Sequence, residues 1–272
     1  MSSIYLHRKD APFGDDVWRR IDETVVSAAR SQLTGRRLLA LEGPYGLGVK
    51  ALSGKEKSLA SDTRAAGAAL GGAEYFPLLT IRVPFAIPIR DVASFEKTGV
   101  PFDISFIAEA ATACASLEDQ VIFSGSKEAG ILGLLHSPGS ASLKLSSWES
   151  IGVVADDVIS AVTKLDDAGF HGPYALALAP KLYNILFRRY PQGNMTELDH
   201  IKSIITAGLI KGPAVKSGGV LIAAGAQFAS LALGQDLMTG FVGPSGGDYE
   251  FTLSETLTLI VRQPGAICVL KQ

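Results

Sequence analysis

Gly43 and Gly48 stand at the separation of the glycines in a phosphate-binding loop, and Lys50 lies two residues beyond. Such a loop needs Gly-x-x-x-x-Gly-Lys-Ser/Thr, because backbone N–H groups cradle the phosphates, the lysine neutralises them and the hydroxyl holds magnesium. Here Val49 occupies the lysine position, Ala51 follows Lys50, and Pro44 removes one donor. No helical pattern opens at this point, so the segment reads as a structural turn. Gly243-Pro244-Ser245-Gly246-Gly247 matches the Gly-x-Ser-x-Gly nucleophile elbow, which must follow a strand, open a helix and precede its acid and histidine partners. The following residues, Tyr249-Glu250-Phe251-Thr252-Leu253, alternate like a strand, and no histidine comes after His200. A hairpin loop is the expectation.

The remaining reactive side chains are dispersed. His7, His136, His171 and His200 have no partner at chelating spacing on a helix face; Asp199 and His200 are adjacent and point apart. Cys114 and Cys268 each sit inside an apolar pattern and read as buried thiols in a reducing compartment. Glu109, Glu118 and Asp119 are read as lying off the apolar stripe of their helix, with solvated or interface charge as the expectation. Asn194-Met195-Thr196 is a glycosylation sequon by pattern alone. No catalytic, cofactor-binding or metal-binding set survives.

The elements that carry these residues follow from periodicity. Residues 15–33 form an amphipathic helix, capped by Asp15 or Asp16, with Trp18, Ile21, Val25 and Ala28 or Ala29 on one face. Gly35 ends it, and residues 36–41 read as extended. Between Gly48 and Glu74 bulky side chains almost vanish apart from Leu52, Leu59 and Leu70, so the stretch is a loop or an arm ordered by something it lies against. Residues 76–89, with Pro77, Pro84 and Pro88, suggest an edge or bent strand. A helix over 103–124 is capped by Asp103 and carries the stripe Ile104, Ile107, Ala111, Cys114, Leu117 and Val121. Residues 130–225 make a second αβ region. In it Asp156-Asp157 caps a helix ending near Gly169, Tyr174–Leu178 is a strand and Pro180 opens a helix. Residues 191–194 form a turn, Thr196 with Asp199 caps a helix closed by Gly208, and 220–224 is a strand. Strands at 228–233, 249–262 and 266–270 complete the chain.

Bulk composition narrows the function. Hydrophobic residues make up 47% and charged residues only 19% of 272 positions, and the mean hydropathy is +0.25. That is apolar for a monomer, so the surplus surface points to subunit contacts. The net charge of −2 without basic runs argues against nucleic-acid binding. No apolar leader follows Met1, and the uncharged stretch beginning near Ser217 is broken by Gly218, Gly219, Gly225 and Gln227, so it reads as two buried strands rather than a membrane span.

The residues that fail as catalytic motifs resemble the encapsulin shell-protein family in order and spacing over nearly the whole chain. They include Trp18-x-x-Ile21-Asp22, Gly35-Arg36-Arg37 and Glu42-Gly43-Pro44-Tyr45-Gly46. Glu118-Asp119-Gln120-Val121-Ile122-Phe123-x-Gly125 and Gly130-x-x-Gly133-Leu134-Leu135 follow. Gly172-Pro173-Tyr174-x-Leu176, Leu233-Gly234-Gln235-Asp236, Glu255-Thr256-Leu257-Thr258 and Pro264-x-Ala266-Ile267 complete the set.

The resemblance implies an α+β chain with the tailed-phage major capsid (Hong Kong 97-like) fold, assembling with copies of itself into an icosahedral nanocompartment in the cytoplasm. Residues 1–47 would begin the peripheral domain, 48–75 form the E-loop arm and 76–129 hold the spine helix. Residues 130–225 would be the axial domain, and 226–272 would return to the peripheral domain. It further implies an enclosed cargo enzyme, such as a ferritin-like protein or a dye-decolorising peroxidase, recruited by a short C-terminal peptide. Leu33, Arg36, Ala40 and Leu237 are the expected cargo-peptide residues, with an intrachain salt bridge as the alternative role for Arg36. Pro191, Gln192, Gly193, Asn194 and Met195 are the expected pore loop. Some relatives carry flavin on the shell; such a site is not assignable residue by residue in this sequence, so no cofactor residue is named, and no nucleic acid or membrane partner is implied. A phage or prophage capsid protein is the alternative, although this chain enters its first helix almost at once. A soluble hydrolase or nucleotide-binding enzyme is disfavoured by the missing base and lysine.

Overall fold

The computed structural model describes residues 4–59 and 70–272. The middle of the expected arm and the first three residues therefore lie outside the described residues. Helix α1 (Asp15–Gln32) buries Val17, Trp18, Ile21, Val25 and Ala29, the face expected from 3.6-residue spacing. Its N-cap is Gly14; Asp15 and Asp16 fall inside the first turn, where they favour the positive end of the helix dipole. The extended reading of 36–41 shrinks to a strand, because Gly35–Arg37 makes a 3-10 turn before β1 (Ala40–Glu42). The expected arm is an antiparallel ribbon of β2 (Ala51–Leu59) and β3 (Leu70–Pro77), with a register shift between Ser53 and Glu56. Strand β4 (Leu79–Pro88) runs into α2 (Ile89–Thr98), a helix with no counterpart in the sequence reading, which stops at Gly99 in the left-handed conformation.

The spine, α3 (Ser105–Ser124), starts two residues later than expected. Asp103 still serves its first turn, accepting bonds from Ser105 N (2.9 Å) and Oγ (2.7 Å). Ile107, Ala111, Cys114 and Val121 are buried, but Ile104 and Leu117 are exposed. Short strands β5 (Gly125–Ser126) and β6 (Ile131–Leu132) follow, and β7 (Ala141–Lys144) opens the second region. Helix α4 (Val153–Asp167) begins earlier than its expected cap. Asp157 is instead buried, accepting from Ser146 N, Ser146 Oγ and Trp148 Nε1 at 2.8–3.0 Å. Strand β8 (Tyr174–Leu178) and α5 (Pro180–Ile185), with its proline in the first turn, fall where expected. The Thr196–Asp199 capping box is formed at the start of α6 (Glu197–Ile204), while Gly208 opens β9 (Gly208–Lys211) rather than closing the helix. Strands β10 (Gly219–Ala223), β11 (Ala229–Ser245), β12 (Asp248–Val261) and β13 (Ile267–Lys271) finish the chain. Ser245 pairs with Asp248 across Gly246-Gly247, so the elbow-like motif is a hairpin turn leading into a strand.

Two main sheets result. The first runs β1-β11-β12-β4, with β4 at an edge where its prolines are tolerated. The second runs β7-β13-β10-β8-β9. The segment 226–272 is thus divided: β11 and β12 join the first sheet, and β13 joins the second. One core lies between α1, α3, the first sheet and one face of the second; there Phe251 stacks on Phe85 at 5.0 Å and meets Trp18 edge-on. A second core lies on the other face, under α4 and α6. Side-chain alternation divides the strands between them: Ala175, Ala177, Val220, Ile222, Ile267 and Val269 enter the first, and Leu176, Leu178, Leu221, Ala223, Cys268 and Leu270 the second. Both cysteines are buried thiols. Among the described residues no helix is long and apolar enough to cross a membrane.

Candidate functional site

Where α1 ends, its last turn faces the middle of β11. The β11–β12 ladder is interrupted there, pairing Gln235 with Thr256 and then Met238 with Ser254, so Asp236 and Leu237 bulge from the strand. Val25, Val26 and Ala29 of the helix, Leu33 at its C-cap and Leu237 of the bulge wall a groove of about 460 Å³, rimmed by Arg30, Arg36, Arg37 and Asp236. Three of the four expected cargo-peptide residues, Leu33, Arg36 and Leu237, share this groove. Ala40 lies in β1 opposite Ser230 and is not part of its lining.

Arg36 is held by its own chain. Its Nε and Nη2 grip Glu118 at 2.9 and 2.7 Å, Nη2 also reaches Glu255 at 2.9 Å, and Nη1 reaches Asp236 at 2.8 Å. The intrachain ion pair left open as an alternative is therefore present, joining α3, β12 and the β11 bulge. Burial alone would lower the guanidinium pKa, but the bonds and charges of Glu118 and Asp236 reverse that and raise it. Glu118 is fully buried and Asp119 is 3% exposed, contrary to the solvated charges expected of them. Cys114, Glu118 and Ile122 are successive i, i+4 positions, so helical spacing places Glu118 on the buried face despite its charge. Asp119 accepts from Thr34 N, Gly35 N (2.8 Å) and Thr34 Oγ1, capping the turn that carries Arg36. Burial raises its pKa against these bonds.

Glu255 is 1% exposed, and its pKa is raised well above the ordinary carboxylate range, chiefly by burial and then by the negative charge of Glu118. Cys114 Sγ lies 3.4 Å from its Oε1. The folded subunit thus holds a proton that the unfolded chain releases near the ordinary value of 4.5. This stabilisation is complete below that value and is lost as the pH rises towards the raised one. Glu255→Gln, a neutral isostere, is expected to flatten the decline in melting temperature between about pH 5 and pH 9. Parallel profiles for the variant and the native chain would contradict this assignment.

The expected pore residues Pro191, Gln192, Gly193, Asn194 and Met195 are all exposed. They form a loop between α5 and α6, closed at its base by Tyr190 N to Met195 O (3.1 Å) and by the Arg189–Thr196 bridge. Among the described residues no group of three His, Cys, Asp or Glu side chains is placed to hold a metal ion.

Residues 2–258 match the family model described as "Encapsulating protein for peroxidase". The chain is 29% identical to the type 1 encapsulin shell protein EncA of Myxococcus xanthus, over 98% of this chain and 96% of that one. It is 31% identical to a diheme-cytochrome-encapsulin shell fusion protein of Kuenenia stuttgartiensis, over 99% of this chain and 75% of that one. Among solved structures, a virus-like particle from Pyrococcus furiosus superposes with a TM-score of 0.73 at 20% identity, covering 94% of this chain and 99% of that one. The capsid of Myoviridae phage XM1 follows the same path with a TM-score of 0.60 at 12% identity, over 85% and 88% of the two chains. Those structural likenesses establish the phage-type capsid fold. With that fold in place and a family model spanning nearly all of its length, the chain belongs to the encapsulin shell-protein family.

Proposed function

We propose that this shell protein closes into an icosahedral cytoplasmic compartment around a cargo enzyme and performs no catalysis itself. The observation that carries the assembly reading is the β2–β3 ribbon. It forms a two-stranded sheet that joins neither main sheet, and Tyr75 on it is 66% exposed. A two-stranded ribbon is marginal alone in water, so it needs a surface to lie against, and the neighbouring subunit supplies one. Purified protein is expected to elute as megadalton particles that appear as closed spheres by negative-stain microscopy. A single small oligomer would overturn the proposal.

The groove between α1 and Leu237 receives the cargo's C-terminal tail. It offers aliphatic walls with a charged rim, the combination that fits short apolar side chains on an extended peptide. The cargo is a peroxidase, in keeping with the family description, with a ferritin-like protein as the other choice. Leu33→Asp is expected to reduce copurifying cargo at least about tenfold while shells still form, since a buried charge in an apolar pocket costs more than about 1.4 kcal/mol. Undiminished cargo would remove the groove from consideration. The Pro191–Met195 loop lines the pore at the five-fold axis, and its uncharged residues pass small solutes with little charge selection. A reconstruction placing that loop away from the axis would refute this.

A further inference from the structure

The loop Pro191–Met195 does not stand alone. A second exposed turn, Glu149–Ile151, lies between β7 and α4, and one buried ion pair ties the bases of the two together. Arg188 precedes the loop and Glu197 follows it. Arg188 Nε donates to Glu197 Oε2 at 2.9 Å, while Nη1 donates to the carbonyls of Trp148 and Glu149 at 2.8 and 2.9 Å. From the other side, Gly152 N donates to Glu197 Oε1 at 2.9 Å. Glu197 N also donates to Arg188 O at 2.9 Å, closing the two ends of the loop on each other.

These contacts are costly to break. Glu197 is fully buried with both oxygens bonded, so separating the pair strands a charge away from water. The upstream half of the turn is held as firmly, because buried Asp157 of α4 accepts from Ser146 N and Trp148 Nε1 at 2.8 Å. Loop and turn are therefore one rigid unit, and whatever the loop faces, Glu149–Ile151 stands beside it. The charges at this end are uneven. Pro191–Met195 carries none. Among the exposed groups around its base, Arg189 and Lys202 offset Asp156 and Asp199 in sign, which leaves Glu149 in excess. Glu149 forms no ion pair among the described residues. The Tyr190 hydroxyl reports the same sign of field: burial, then the charges of Glu197 and Asp156, raise its pKa.

We infer that Glu149–Ile151 is a second wall of the pore, and that Glu149 is its specificity-determining residue, drawing small cations to the mouth ahead of anions. This rests on the reading of Pro191–Met195 as the pore loop and adds to it. The uncharged loop sets what size passes, and the carboxylate beside it sets which charge arrives. Symmetry repeats Glu149 around the axis, so the weak attraction of one exposed carboxylate becomes a ring, whose field the low-dielectric walls focus.

The test uses intact shells, confirmed closed by microscopy and soaked in one of two nitroxides of matched size, one bearing a quaternary ammonium and the other a carboxylate. After rapid desalting, escape of the label is followed by electron paramagnetic resonance. At 10 mM salt, where the screening length is about 30 Å, Glu149→Gln is expected to lower the cation-to-anion efflux ratio at least about threefold. At 1 M salt the screening length falls to about 3 Å, and the native and variant ratios should converge. Glu128→Gln removes the same charge from an exposed position between β5 and β6, and should leave the ratio unchanged. Asn194→Trp narrows the loop and should slow both labels. If it does so while Glu149→Gln leaves the ratio unchanged, or Glu128→Gln shifts it equally, the role of Glu149 is overturned and the pore-loop reading stands. Efflux from Asn194→Trp shells as fast as from native ones would overturn the pore-loop reading, and this inference with it.

Discussion

Arg36→Ala is expected to cost the subunit about 3–5 kcal/mol, the range for removing one partner of a buried ion pair. Arg36 bonds both Glu118 and Glu255, which are 0% and 1% exposed. Without it, a buried carboxylate on α3 faces a buried carboxyl on β12, with no compensating charge inside the principal core. Glu255 already carries a proton at neutral pH, so Glu118 must then take one up as well or draw in water, and either outcome loosens the contact between spine helix and sheet. Denaturant titration at neutral pH, together with shell yield, measures the effect; a loss below about 1 kcal/mol would mean that the cluster is solvated in solution. Replacing Arg36 and Glu118 together by apolar residues is expected to recover part of the loss, because the penalty lies mainly in the stranded charge. It also follows that Arg36 is a poor probe of cargo binding, since its variants would report folding. Leu33 and Leu237, which contribute only aliphatic wall, separate the two effects.

The second large effect is expected at Gly43. Its φ is +100°, and a β-carbon there would collide with the carbonyl oxygen of Leu233 and crowd Tyr45 N at 3.0 Å. That same carbonyl accepts the Tyr45 N–H bond at 2.9 Å, and Gly46 N bonds Gly234 O beside it. These bonds carry the chain from β1 along β11 to the base of the arm. Gly43→Ala must therefore adopt an unfavourable backbone conformation and also displace a paired strand, at a cost of about 2–4 kcal/mol. The arm would leave the body at a different angle, so closed shells should become scarce even where subunits remain folded. Gly48 is the control: its φ is ordinary and a β-carbon there meets open space, so Gly48→Ala should assemble normally. Normal shells from Gly43→Ala, scored by size-exclusion chromatography and microscopy, would refute the junction role.

Much of the architecture was legible wherever one short-range rule sufficed. The buried face of α1, the proline-led start of α5, the Thr196–Asp199 cap and the Gly246-Gly247 hairpin each depend on residues within a turn or two of one another. The misreadings share a different cause. Glu118 and Asp119 looked solvent-facing by residue type, yet their partners Arg36, Thr34 and Gly35 lie more than eighty positions earlier. Helix α2 was missed between two stronger signals. The sheet membership of β13 depends on strands β7 and β10 rather than on anything in its own five residues. The groove between α1 and Leu237 was half legible: the α1 residues follow from periodicity, but the bulge that turns Asp236 and Leu237 towards them is a property of the β11–β12 register.

The second sheet has a consequence for how the subunit finds its pairing. In β10, Val220 aligns with Ala177 and Val269, and Leu221 aligns with Leu176 and Cys268. The first row packs into one core and the second row into the other. In a strand with one wet face a one-residue slip turns the apolar side chains out to solvent; β10 is apolar on both faces, so its slip is penalised by misfit in two cores at once. A slip would send Leu221 and Ala223 into the space shaped for Val220 and Ile222, and the reverse on the opposite side. Each core therefore proofreads the other, and the strand fits its slot as a key cut on both edges fits a lock.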